Sequence, residues 1–192
     1  MNAATLLFAD RGFEGTSIQS VADAVGIRKP SLLYHFPSKD ALRAAVLDDL
    51  LAHWKRELPS VLAGATTGKD RFEGAIKAIV DFFVAQPVRA RLIAREMMDQ
   101  PDVARRAIAE HIAPWTGLVT DYIRLGQESG RLREDVDPEA YITQVVTLAI
   151  GTVALGSVTQ SLIGSGAPMP QQLEEMVRIA RVSLFKSRPK ES

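Results

Sequence analysis

The chain has 192 residues, of which 46% are hydrophobic, enough to build the core of one ordinary domain or of a small domain fused to a medium one. It contains no cysteine, which excludes disulfides and thiolate chemistry, and its formal net charge is zero, so any affinity for nucleic acid must come from local charge. No apolar run reaches the roughly 18 residues that a membrane span needs and no secretion signal is visible, so we expect a soluble, cytoplasmic protein.

Glycine and proline residues divide the sequence into segments of helical length. Between them, apolar residues recur at helical spacing, as in Phe72, Ile76, Ile79 and Phe83, and no segment shows sustained period-two alternation. We therefore predict an all-α fold of about nine helices. The first three are short and closely connected, and those after about residue 38 are longer.

This change in helix length predicts two domains. We place a three-helix domain at residues 1–45, a larger helical domain at 46–186 and a polar tail at 187–192. A helix that starts at Ser38 is expected to bridge the two domains.

Residues 16–36 have the pattern of two short helices joined by a tight turn. Thr16 or Ser17 can cap the first helix, which stops at Gly26. Ala22 and Gly26 have the spacing of a small contact residue and of a turn residue that tolerates a left-handed backbone. The second helix begins near Pro30, which suits a first turn. We expect Phe36 to lie in the core. The exposed face of the second helix is expected to carry Arg28, Lys29, Ser31, Tyr34 and His35.

Positive charge is concentrated around this second helix. Between residues 28 and 43, the cations Arg28, Lys29, Lys39 and Arg43 stand against Asp40 alone. Such cations taken one by one would indicate a solvated face, and His35 alone a partly buried surface histidine. Together with the helix pattern, they favour contact with DNA.

Three motifs occur in order here: Gly-Phe-x-Gly-Thr-Ser (12–17), Ala-x-x-x-Gly (22–26) and Tyr-His-Phe-Pro-Ser-Lys-x-x-Leu (34–42). In these motifs the chain resembles the DNA-binding region of the tetracycline-repressor (TetR) family, over residues 3 to about 46. The resemblance implies a helix-turn-helix DNA-binding domain and, behind it, a variable helical domain that senses a small molecule and forms a homodimer through its last two long helices.

The resemblance also implies roles for single residues. The family's recognition helix corresponds to residues 29–35, and His35 and Lys39 match positions that hold DNA phosphates. Thr16 or Ser17 matches the helix start that also meets the backbone. The resulting set of DNA-binding residues is Thr16, Ser17, Arg28, Lys29, Ser31, Tyr34, His35 and Lys39.

The sequence departs from the family pattern at three places. Leu33 replaces a usual aromatic residue, so Tyr34 would have to supply that contact, and Arg28 replaces the usual capping serine. Family members also extend further upstream with a basic arm, whereas this chain starts almost inside the first helix. Either the start is truncated or DNA is bound without the arm.

A ligand pocket is expected among the helices of the larger domain, partly from the resemblance. Pro114 should bend or break its helix and leave a gap beside Trp115. Adjacent methionines adapt to varied shapes, and Gln144 and Thr147 could be polar anchors. The predicted ligand residues are Phe82, Phe83, Arg95, Met98, His111, Trp115, Gln144 and Thr147. The open alternative is that the large apolar side chains only fill the core. The implied effector is mostly apolar and uncharged or weakly anionic.

Two apolar stretches predict the dimer: residues 141–163, with Gly151 and Gly156 allowing close backbone approach, and residues 173–184. The alternative is that both pack only within their own subunit. No nucleophile with its base, phosphate loop or metal-ligand cluster is visible, so we expect neither an enzyme nor a cofactor.

The predicted function is thus a regulator, most simply a repressor that an inducer releases from a pseudo-palindromic operator. The competing interpretation is a helical small-molecule-binding module of the same fold that has lost operator binding, and the short front end favours it.

Overall fold

The computed structural model describes residues 2–64, 68–159 and 168–186, and within these ranges it is built of eleven helices. They are α1 (Asn2–Arg11), α2 (Ile18–Ala24), α3 (Lys29–His35), α4 (Lys39–Gly64), α5 (Gly68–Ala85), α6 (Pro87–Asp99), α7 (Pro101–His111), α8 (Ala113–Glu128), α9 (Pro138–Ala154), α10 (Gly156–Thr159) and α11 (Met169–Leu184). The all-α prediction is confirmed, with two more helical segments than the nine expected, because the chain also breaks at Ile112, between α7 and α8, and at Leu155, before the four-residue α10.

Helices α2 and α3 form the expected helix-turn-helix. Ser17 caps α2, since its hydroxyl accepts a hydrogen bond from the Ser20 amide at 3.0 Å and its own amide donates to the Ser20 hydroxyl at 3.1 Å. Ala22 is fully buried, and Gly26 has the left-handed φ of +71° that the turn requires. The predicted Ala-x-x-x-Gly turn is therefore confirmed.

The head, by which we mean α1–α3 and the loops between them, is continuous with the rest of the core. Phe8 and Val21 of the head belong to the same buried cluster as Leu92 of α6 and Ile150 of α9. Helix α4 begins after Ser38, whose hydroxyl accepts from the Ala41 amide at 3.0 Å, and it runs without interruption past residue 45. The predicted boundary at 45/46 thus lies inside a helix, and the two domains remain a prediction.

The expected break before Trp115 is present. Helix α7 ends at His111, Ile112 joins the two helices, and Pro114 lies in the first turn of α8. The amides of Trp115 and Thr116 both donate to the Ile112 carbonyl, at 2.9 and 3.1 Å, so the new helix is closed one turn after the break.

The last long helices, α9 and α11, pack against each other through a second buried cluster that contains Val145, Ala149, Met176 and Ala180. The Tyr141 hydroxyl donates to the Ala180 carbonyl at 2.7 Å and ties the two helices together. The faces of α9 and α11 that point away from this cluster therefore have a fixed orientation relative to each other. None of the helices that the structure describes is long and apolar enough to cross a membrane.

Candidate nucleic-acid interface and sensor region

Helix α3, which the family resemblance predicts to be the recognition helix, has mostly polar exposed residues and is held to the protein by apolar ones. Leu32 is its buried residue, and Phe36 packs half-buried against the main cluster, as predicted. The side chain of Tyr34 is 86% exposed, and its ring meets that of His35 edge-on with centroids 5.3 Å apart. The other predicted residues of this face that are exposed are Arg28, Lys29 and Ser31. All five side chains are thus accessible to solvent, and Tyr34 and His35 are in contact.

Thr16 requires a correction. It is 1% exposed, and its hydroxyl donates to the carbonyl oxygens of Leu7 and Gly12 at 3.0 and 2.8 Å. It therefore fastens the α1–α2 loop and cannot present its side chain to DNA in this structure. The alternative that the sequence left open, Ser17, is the exposed residue that caps α2.

Lys39 lies at the start of α4 and is held by the α1–α2 loop. Its Nζ donates to the Phe13 carbonyl at 2.8 Å and stands 4.1 Å from the centroid of the Phe13 ring. It is also 4.0 Å from a carboxylate oxygen of Glu14. A phosphate contact by Lys39 remains a prediction. The α1–α2 loop would hold the ammonium group of Lys39 in position for this contact.

Arg43 does not add to the basic surface, contrary to the expectation from local charge. Its side chain is 9% exposed, its Nη2 donates to Asp40 Oδ1 at 2.9 Å, and its guanidinium carbon stands 3.9 Å from the centroid of the Phe13 ring. Among residues 16–36, the exposed cations are thus Arg28 and Lys29, and His35 is also exposed.

The structure does not bring the eight predicted ligand residues around one cavity. Phe82 and Phe83 are buried with their rings 5.0 Å apart, whereas the side chain of Met98 is 75% exposed. Gln144 and Thr147 lie on the outward face of α9. Their roles stay predictions, but the expectation of a common site fails because helical periodicity does not say which neighbour each face meets.

The other three members of this set lie in different surroundings. Arg95 packs against Gly12 at the head, and Trp115 is half-buried at the start of α8. His111 is 6% exposed, and its Nε2 lies 3.1 Å from Asp48 Oδ1, which links the end of α7 to α4.

Two of the cavities among the described residues lie between helices of the α4–α8 region. The first, of about 420 Å³, is almost wholly apolar and lies between α6, α7 and the start of α8. It is lined by Met97, Pro101, Ala104, Arg105, Ile108, Ala109 and Ala113. It therefore adjoins the predicted residues Met98 and Trp115 in the sequence.

The second cavity, of about 460 Å³, lies between α4, α5 and α6 and is more polar. His53 stacks on Phe82 with ring centroids 4.7 Å apart, and the Arg89 guanidinium lies 4.4 Å from the Phe82 ring. Burial lowers the pKa of Arg89, and Asp49 opposes that shift. The remaining lining residues are Gly74, Lys77, Ala78, Asp81 and Ala85.

Most residues that line this second cavity were not predicted from the sequence. Gly74, Ala78 and Ala85 recur at helical spacing and leave room between the larger side chains that α5 contributes to the same cavity. That signal is visible in the sequence, but a search for large apolar residues at helical spacing overlooks small ones.

Comparison with known proteins finds family models that match the head and part of the helical region that follows it. Residues 1–46 match the family model described as bacterial regulatory proteins, tetR family, and residues 92–164 match a tetracyclin repressor-like C-terminal domain. The HTH-type transcriptional repressor DhaR of a Mycobacterium species is 27% identical over 136 residues, which are 70% of this chain and 69% of the relative. The repressor KstR2 of Mycolicibacterium smegmatis is 29% identical over 142 residues, 71% of this chain and 67% of the relative.

Among solved structures, the ketosteroid transcriptional regulator KstR2 of Mycobacterium tuberculosis superposes with a TM-score of 0.75 and 20% identity. The superposition covers 97% of this chain and 93% of that one, and at this identity it speaks for the fold alone. With a capped helix-turn-helix at its start and family models matching both parts, the chain belongs to the TetR family of transcriptional regulators.

Proposed function

We propose that this protein is a homodimeric repressor that binds a pseudo-palindromic operator and releases it when a small molecule occupies the sensor domain. The observation that carries the proposal is the surface of α3, whose polar residues are exposed while Leu32 anchors the helix from below. Repression rather than activation is supported by the relatives DhaR and KstR2, which are named repressors. A cytoplasmic location belongs to the same proposal, because operator DNA is found there.

In this arrangement each α3 enters a major groove. Lys29 and Ser31, near the start of the helix, would reach base edges, and His35 and Lys39 would contact phosphates and set the register. Two heads would read half-sites about one helical turn, roughly 34–36 Å, apart.

The dimer would form through the outward faces of the last helices. Large apolar side chains are exposed there: Leu148 of α9, Leu155, Val158 of α10, and Ile179 and Val182 of α11, between 42% and 66% of each surface being accessible. Exposed apolar residues that follow two adjacent helices indicate an interface with another chain. The predicted residues 160–163 lie outside the described part of the chain.

The effector is proposed to be small and mostly apolar. The α6–α7–α8 cavity suits such a molecule because nearly all of its wall is apolar, and its lining residue Ala113 is two positions from Trp115 in the sequence. A ligand that binds more tightly to the form with low operator affinity weakens DNA binding by the ratio of its two affinities, and DNA weakens ligand binding equally.

The proposal is tested by selecting binding sites from random duplex DNA with the full-length protein and measuring affinity by fluorescence anisotropy. We expect an enriched pseudo-palindrome and a loss of about tenfold or more in Lys29→Ala, because a good base contact contributes about 1–3 kcal/mol. Arg105→Ala is the matched control, since Arg105 is an exposed cation on α7, remote in sequence from the recognition helix, that pairs with Asp102. Failure to enrich any duplex would support the competing module that binds small molecules without DNA.

A further inference from the structure

Helix α6 packs directly against the first helix of the head. Ala4 and Ala9 of α1 and Ala90 of α6 are buried in one cluster, and side chains of this size allow two helices to approach closely. Next to Ala90, the Nη2 of Arg91 donates to Asp10 Oδ1 at 3.4 Å. This contact lies near the end of α1, just before the chain turns toward α2.

The contact continues one turn later, at the loop between α1 and α2. Arg95 follows Arg91 by four residues and therefore lies on the same side of α6. Its Nη1 is only 2.7 Å from where a Cβ on Gly12 would stand, and Gly12 has a φ of +73°. Glycine is thus required at position 12 both by the backbone conformation and by the closeness of Arg95.

The loop at Gly12 is bonded in turn to the rest of the head. The Gly12 carbonyl accepts a hydrogen bond from the Thr16 hydroxyl at 2.8 Å. The next carbonyl, that of Phe13, accepts from the Nζ of Lys39, also at 2.8 Å. The loop that Arg95 touches is therefore joined to the residue before the cap of α2 and to the start of α4.

This contact gives the head a second attachment to the helices behind it. The first attachment is α4, which continues from the head without interruption. Helix α6 also packs on α9 in the buried cluster that contains Leu92 and Ile150, and α9 carries part of the proposed dimer face. Because a body held at one point can still rotate about it, the second attachment fixes the direction of α3 relative to that face.

We propose that Arg95 is a positioning residue that, through Gly12, sets the distance and angle between the two recognition helices of the dimer. Its consequence is that the preferred spacing of the operator half-sites depends on Arg95, although Arg95 lies on α6 and outside the predicted DNA-binding set. This inference rests on the proposed function, because it takes a dimer bound to two half-sites as its output.

The test measures affinity for the selected operator and for versions with one base pair inserted or removed between the half-sites. One base pair moves a half-site by about 3.4 Å and rotates it by about 34°. We expect wild type to prefer the selected spacing by about tenfold or more, because the change takes contacts of one head out of register. Arg95→Ala should reduce this preference to less than about threefold, below a typical coupling between sites, because a head with one attachment can adapt to either spacing.

Gly12→Ala disturbs the same contact from the side of the head, because the added methyl group would displace the end of Arg95. It should reduce the spacing preference similarly, and in this background Arg95→Ala should change the preference by less than about twofold, since both substitutions remove one contact. The matched control is Gly130→Ala, between α8 and α9. Gly130 has a φ of +70°, so alanine is strained there in the same way, but no described atom outside its immediate neighbours lies within 4 Å of its Cβ position. This variant should keep the wild-type preference.

The control for loss of charge is Arg106→Ala, which removes an exposed cation from α7 and should also keep the preference. Thermal melts establish that each variant is folded, and Arg95→Met, which removes the guanidinium but keeps an extended side chain, replaces Arg95→Ala if the latter does not fold. A folded Arg95→Ala with the wild-type preference, or a Gly130→Ala that loses it as Gly12→Ala does, would overturn the inference. Wild-type protein that selects no operator would instead contradict the proposed function.

Discussion

At the residue scale, the polar groups of the head divide into those that face solvent and those that hold the loop. Thr16 and Arg43 have the residue types of DNA contacts, yet both are buried and bonded inside the protein. A sequence motif gives the order of such residues but not the depth at which each side chain ends. The exposed candidates on α3 are therefore the stronger ones.

Lys39 and Ser31 should affect operator binding in different ways. Lys39→Ala is expected to weaken binding to all duplexes and to reduce the salt slope by about one, because it removes one phosphate contact; His35→Ala should weaken binding similarly with a smaller change in slope. Ser31→Ala should change which operator is preferred. Salt titrations and site selection measure the two effects. An unchanged slope in Lys39→Ala, with an unchanged operator profile in Ser31→Ala, would remove both assignments.

Glu96 predicts a pH dependence of stability with a definite sign. Glu96 of α6 is buried, and burial raises its folded-state pKa from 4.5 although the charge of Arg43 opposes the rise. The folded chain therefore keeps a proton that the unfolded chain releases. The stability that this provides is present below pH 4.5 and is lost as pH rises through the folded-state pKa. Glu96→Gln should therefore show a smaller fall in the free energy of unfolding over this range than wild type, measured by urea denaturation.

The control is Glu110→Gln, which removes an exposed carboxylate from α7, and its profile should follow wild type. Should wild type instead gain stability relative to Glu96→Gln as pH rises, the attraction of Arg43 would outweigh the cost of burial, and the assigned direction would be wrong.

At the element scale, each of the last helices has a buried face and an exposed apolar face. In α9, Val145 and Ala149 meet α11, while Leu148 points away from this contact and is 42% exposed. The predicted alternative, that both helices serve only their own core, accounts for the first face and leaves the second unexplained.

A charge on the exposed face should separate the subunits. We expect wild type to have about twice the chain mass of 21.0 kDa by light scattering, and Leu148→Glu to shift toward the monomer, because an unpaired carboxylate is costly in an apolar interface. Leu125→Glu is the matched control, since Leu125 is 59% exposed on α8 outside the proposed interface. Monomeric wild type at micromolar concentration, or equal dissociation in both variants, would contradict the assignment of this face.

At the scale of the whole molecule, the turns and helix ends could be predicted from the sequence, whereas the packing of the helices behind the head could be predicted only in outline. Capping by Ser17, the turn at Gly26 and the break at Pro114 are local, so neighbouring residues determine them. The ligand set required knowing which helices meet, and Met98 and Gln144 are on exposed surfaces instead. Periodicity identifies an apolar face but not its partner.

Binding of an effector should change both the melting temperature of the protein and its affinity for the operator. A compound that releases the operator should raise the melting temperature of the free protein, because it binds the folded state. Trp115→Ala is expected to lose this response and keep operator binding, whereas Arg89→Met, in the α4–α5–α6 cavity, should keep both. The reverse outcome would move the effector site to the cavity beside Phe82.

The recognition helix begins without a side-chain cap. Arg28 stands at the capping position and makes no side-chain bond there, whereas α2, of the same seven-residue length, has a reciprocal cap from Ser17 and Ser20. Local opening of α3 should therefore cost less free energy than opening of α2. Its amide hydrogens should exchange faster with deuterated solvent in the free protein than those of α2, and insertion of α3 into the major groove should slow that exchange when operator DNA is bound.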